Sequence, residues 1–154
     1  MTPEPTTSFE NRIRQHFGYL FERYGFQLEL IKANPLEDDG VAILASPTCL
    51  LRVSEHHADG EIEWARNAET VEWINAFDLH HFVHHELGLS GPITVAADHP
   101  DWMATQAATV ERLIEAILAF FQPVGFNERR GELDLYTAER LAAYRRERAA
   151  RKRG

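Results

Sequence analysis

Apolar residues recur along this chain first at helical spacing and then at strand spacing. Ile13, Phe17, Leu20, Phe21 and Tyr24 stand three or four apart, which predicts a helix from Ser8, its expected N-cap, to about Tyr24. Gly25 supplies the stop. From Phe26 the period falls to two. Phe26, Leu28 and Leu30 alternate with Gln27 and Glu29, the signature of a half-buried strand. Asn34 to Gly40 reads as a turn, Val41 to Ala45 as a second strand broken by Ser46-Pro47, and Cys49, Leu51 and Val53 as the inward face of a third. His56 to Gly60 is expected to be a five-residue connection in which Asp59-Gly60 favours a hairpin turn. A fourth strand, Glu61 to Ala65, then points Ile62 and Trp64 one way and Glu61 and Glu63 the other.

The second half of the chain is mostly helical in pattern. Val71, Trp73 and Phe77 fit either a fifth edge strand or an irregular segment under the next helix, expected over residues 78–88. After the Gly88-to-Pro92 break, Asp98 or His99 caps a long helix with the stripe Trp102, Met103, Val110, Leu113, Ile114, Ile117, Leu118 and Phe121. Pro123 ends it, residues 123–136 read as a loop hinged at Gly125 and Gly131, and Thr137 to Lys152 as a last helix with a weak apolar stripe. The expected architecture is α+β. An antiparallel meander of four to five strands is covered on one face by the first and the long helix, with an extra basic C-terminal helix. Residues 1–7 are a tail, 8–122 the single domain, 123–136 a loop and 137–154 the basic helix or tail.

At 154 residues with 44% hydrophobic and 26% charged residues, the composition suits one domain with a real core. Charge adds an asymmetry. Residues 1–136 hold 9 Lys/Arg against 22 Asp/Glu, a net −13, while residues 137–154 hold 7 against 2, a net +5. An acidic body repels phosphate backbones and suits a basic protein partner. Nothing interleaves aromatic side chains with base-reading or stacking positions, so nucleic acid is not the expected partner. No run approaches the length of a membrane span, and the N-terminus lacks the basic-then-apolar pattern of a signal peptide. One cysteine allows no internal disulfide, and the expected location is cytoplasmic.

The local pattern that folding does not obviously require is His80-His81-Phe82-Val83-His84-His85. His80/His84 and His81/His85 each lie four apart, one helical turn, and both pairs are expected on the side away from the stripe of Leu79, Phe82, Val83 and Leu87. Two imidazoles so spaced can chelate Zn²⁺ or Ni²⁺, with His80, His81, His84 and His85 as the candidate ligands. The plain reading of the same block is a solvated helix face, and a pH-sensitive surface is a further alternative. His56, His57 and His99 could add ligands only where the fold brings them close. There is no HExxH, CxxC, phosphate loop or GxSxG nucleophile elbow. Glu37-Asp38-Asp39 sits in a turn, and Cys49 reads as a buried thiol. Trp64, Trp73 and Trp102, with Tyr24 and Phe77, are core positions first and a cleft lining second.

The run Tyr19-Leu-Phe-Glu-Arg-Tyr-Gly-Phe26, passing from helix to strand, and then Cys49-Leu-Leu-Arg-Val53, resembles small bacterial α+β proteins, some of which are immunity proteins of polymorphic toxin systems. The resemblance covers residues 9–66, with the long helix at 101–122 in a compatible place. It implies a protein that binds and blocks a partner, here a basic toxin, through an interface rather than a catalytic set. No functional residue carries over by position. The sequence therefore leads to a non-catalytic, cytoplasmic protein-binding module with an acidic surface, Glu61 and Glu63 contributing to recognition. Metal binding or sensing through the histidine helix is the alternative, and a homodimer joined by the sheet edge or the C-terminal helix is a third possibility.

Overall fold

The alternation between Phe26 and Arg66 folds into four long strands, β1 Gln27–Asn34, β2 Asp39–Ala45, β3 Cys49–His56 and β4 Asp59–Arg66, followed by a two-residue β5, Ile74–Asn75. Their order in the sheet is β1-β2-β3-β4-β5 and every pairing is antiparallel, so the meander and the α+β class are as expected. The structure is a computed structural model that describes residues 8–34, 39–57, 59–90, 93 and 102–153. The expected tail 1–7, the centre of the Asn34–Gly40 turn, Ser8 as a side-chain cap, and a cap at Asp98 or His99 lie outside what is described.

Ala42, Leu44, Leu51, Val53, Ile62 and Trp64 form the inner face of the sheet, and each is buried. They pack in one cluster with the helices α1 Ser8–His16, α3 Ala76–Glu86 and α4 Trp102–Phe120. Fully burying a side chain of this size is worth about 1.5–3 kcal/mol, so this face is the main driving force for the fold. On the opposite face lies a smaller cluster of Ala45, Leu50 and Ala65 with Ile43 and Trp73.

Each main strand runs beyond the apolar alternation because backbone pairing continues through polar residues. The ladder from Ala45↔Leu50 holds one register to Gly40↔Glu55. The β3–β4 ladder closes at His56↔Asp59, so the connection is two residues, not five, and Asp59-Gly60 belongs to β4. The first helix is also broken. Phe17 leaves helical geometry (φ −102°, ψ 12°) with its side chain fully buried, and α2 Gly18–Arg23 restarts after it. Gly25, at φ +70°, ends α2 as expected.

The largest departure is the stretch read as a loop at 123–136. It is the start of a 28-residue helix, α5 Phe126–Arg153. Two local features explain it. Phe126 stacks among Phe120 and Phe121 at ring separations of 5.8 and 5.9 Å, anchoring the first turn. Arg129 then reaches back, donating to the carbonyls of Phe120 (2.8 Å), Val124 (2.9 Å) and Gln122, which satisfies groups left open at the end of α4. The break between α4 and α5 is confined to the few residues around Pro123 and Gly125. Leu133 is buried, and the first half of α5 lies along α3.

Candidate functional site

Three groups of chemistry-bearing side chains stand out, and two of them are committed to the fold. The first is a row across the sheet, Gly40–Glu55–Gly60, formed by the registers of β2, β3 and β4. A Cβ at Gly40 would overlap the ring of Phe9, and one at Gly60 the ring of Trp102, so the two glycines let aromatic rings lie directly on the sheet. Between them the buried carboxylate of Glu55 accepts from Trp102 Nε1 at 2.8 Å and from both terminal nitrogens of Arg12 at 2.9 Å. A buried carboxylate held this way is bidentate, charge-assisted and fully used.

The second group is the histidine helix, where the expectation of two outward pairs fails for His80/His84, while His85 is exposed and His81 half-buried. His80 is 1% exposed and its Nε2 accepts the indole N–H of Trp64 at 3.0 Å inside the core. Burial lowers its pKa from 6.5 to about 3, so the ring is neutral at ordinary pH. His81 lies against Phe77 at 4.4 Å and burial again lowers its pKa. His84 has a buried Nε2 without a hydrogen-bond partner among the described residues, and His85 stacks on Tyr136 of α5 at 5.1 Å. Arg140 lies over both Phe77 (5.2 Å) and Tyr136 (5.7 Å). The outer side of α3, expected to be solvated, is thus partly covered by α5. Chelation by His80 and His84 would require surrender of the Trp64 hydrogen bond and rotation of a core side chain.

The third group was not anticipated as a unit. Asp39, at the start of β2, and His56 and His57, at the β3–β4 turn, place one ligand atom each within 4.8 Å of one another. Asp39 Oδ1 is 2.8 Å from His56 Nδ1 and accepts the backbone N–H of His57 at 3.4 Å. The two imidazoles lie 4.1 Å apart, centre to centre. The signal for it lay in the ladder. Continued from Ala45↔Leu50, the same register sets Asp39 opposite His56.

The remaining sequence candidates disperse. Glu61 is exposed, while Glu63 is bonded to Arg52, whose Nε donates to it at 3.0 Å and whose guanidinium lies 4.3 Å from the Trp73 ring. Trp64 and Trp102 are buried in the core, Trp73 is on the opposite face and Phe77 is exposed, so these aromatics line no common cleft. His80 borders a cleft of about 120 Å³ with Gly60, Ile62 and Gln106, small beside the several hundred Å³ of ordinary ligand pockets. Cys49 is buried, its thiol pushed up to about 11 by burial, which leaves no thiolate for chemistry. Glu37, Asp38 and His99 lie outside the described residues. No described helix is long and apolar enough to cross a membrane. Comparison with known protein families, curated proteins and solved structures finds no match, so the likeness to immunity proteins rests on the residues quoted for it alone.

Proposed function

We propose that this protein is a non-catalytic binding module whose C-terminal helix is its docking element, seated on the acidic body of a second copy of the chain. The observation that carries this reading is the outer half of α5. At 1.5 Å per residue the whole helix is about 42 Å long. Every described residue from Leu141 onward is exposed, including Leu141 (46%) and Tyr144 (59%). Those two continue the stripe that begins with Leu133 and Tyr136 on α3, since they follow Leu133 by 8 and 11 residues. Around them residues 137–154 carry +5, against −13 on the rest of the same chain. An arm and a body of opposite charge on one chain are self-complementary, the condition for a two-fold exchange. Steering of that kind speeds encounter and weakens as salt rises.

The test is sedimentation velocity at low and high salt, about 0.05 and 0.5 M, on the full chain and on the double variant Leu141→Asp/Tyr144→Asp. The reading expects a dimer at low salt that dissociates at high salt and is absent in the variant. A wild-type chain that stays monomeric at every concentration overturns it. The −13 body also supports a second reading, the one the sequence favours, in which a basic protein is held over exposed acids such as Glu61. There Glu63 contributes through its bond to Arg52 rather than as a free charge.

A further inference from the structure

We infer that Asp39, His56 and His57 form a surface site for a borderline divalent cation of the class of Zn²⁺, Ni²⁺ or Cu²⁺. The site is independent of the docking arm and of the histidine helix.

The two strands β3 and β4 close at His56↔Asp59 over a two-residue connection, and its first residue, His57, has φ +48°. Turns this tight favour Gly or Asn at left-handed positions. Histidine there costs about 1 kcal/mol in backbone strain relative to a residue that prefers the region. What this placement achieves is proximity. It sets the ring of His57 4.1 Å from that of His56, and the continued β2–β3 register brings the Asp39 carboxylate to within 2.8 Å of His56 Nδ1.

Two imidazoles and one carboxylate are a donor set that zinc and its neighbours favour, with a fourth position left to water. Their ligand atoms lie within 4.8 Å of one another. Around a tetrahedral ion with bonds near 2.0–2.2 Å, ligands sit roughly 3.4 Å apart, so small side-chain rotations close the site. His56 and His57 are both exposed, which leaves their rings room to turn, and the ladder holds the backbone of His56, with His57 the next residue in the turn. A metal bound at His56 Nδ1 would take the place of the present contact with Asp39 Oδ1, the ring then carrying its proton on Nε2.

The surroundings also separate this trio from the other histidines. Glu55, next to His56, is saturated by Arg12 and Trp102 and does not compete. Lys32 and Asp39 share the open groove that His56 borders, and Asp59 lies across the turn. On α3, by contrast, His80 is bonded in the core and His81 and His85 lie against aromatic rings. The exposure of His56, 73% at the side chain, predicts an exchangeable site rather than a structural one.

Calorimetric titration of the untagged, chelator-treated full chain with ZnCl₂ and separately NiCl₂ tests this. The expected result is one ion per chain in the micromolar range. Asp39→Asn and His57→Asn should each weaken it by about tenfold or more, the latter keeping a residue that suits the turn. His81→Gln/His85→Gln on α3 should leave it unchanged. Circular dichroism of each variant confirms that the fold is retained. Absence of saturable binding, binding undiminished in both the Asp39 and His57 variants, or binding lost in the α3 variant overturns the assignment.

Discussion

His80 should make this protein acid-sensitive in a range where most buried groups are silent. Its ring is neutral in the folded state with a pKa of about 3, against 6.5 when exposed. A histidine with a depressed folded pKa contributes its full stability above the unfolded value and loses it as pH falls, because only the unfolded chain takes up the proton. Between pH 7.5 and pH 5 the unfolded imidazole passes from mostly neutral to mostly charged. At 1.36 kcal/mol per unit, that favours unfolding by about 2 kcal/mol, a sizeable part of the stability of a small domain. His81, lowered by burial as well, acts in the same direction. The comparison is His80→Gln, whose side-chain carbonyl can still accept the Trp64 N–H but does not titrate. Urea unfolding followed by tryptophan fluorescence, at both pH values and on both proteins, isolates the effect, since all other titrating groups are shared. The wild type should lose about 2 kcal/mol more than the variant over this interval. An equal loss in the two proteins refutes the reasoning and places His80 within reach of solvent protons.

Gly60→Ala should destabilise by about 1–3 kcal/mol, the range for overpacking, because its methyl group overlaps the Trp102 ring against rigid sheet backbone; chemical denaturation reads this directly. Gly131 lies in the interior of α5 with open space around its α-carbon, so Gly131→Ala should raise stability by about 0.5–1 kcal/mol; no gain in the melting curve would mean that the first half of α5 is not helical in solution.

The sheet was legible because period-two alternation is a strong local signal, and the ends of its strands were not because pairing outlasts it. His56 looks like the first residue of a turn in sequence, yet it completes β3. The helix at 126–136 was missed because glycine and proline near its start outweighed a polar stretch with few apolar residues. What makes it helical is tertiary, the Phe126 contacts and the reach of Arg129, and propensity alone ranks neither. That omission carried over to the histidines. Spacing gave both i,i+4 pairs correctly, but a wheel drawn on α3 alone cannot show that Trp64 claims His80 from the sheet or that Tyr136 of α5 stacks on His85. The trio at the β3–β4 turn was within reach of the sequence, had the hairpin register been counted outward from Ser46-Pro47.

The clamp on Glu55 bears on how the chain completes its fold during synthesis. Its two partners come from opposite directions, Arg12 43 residues before and Trp102 47 residues after. While the ribosome is still making the region beyond β4, Glu55 can hold only its arginine, and Gly60 lies open where the indole will rest. The distal end of the meander is therefore sealed late, when the start of α4 has emerged and Trp102 can settle onto it. Contacts of such long sequence separation close slowly, and until they do the nascent sheet presents a bare glycine edge to chaperones and to other chains. The same indole that ends this exposure is an intrinsic fluorophore, so in a chain with Trp64 and Trp73 replaced by phenylalanine its emission would report when the start of α4 docks on the sheet.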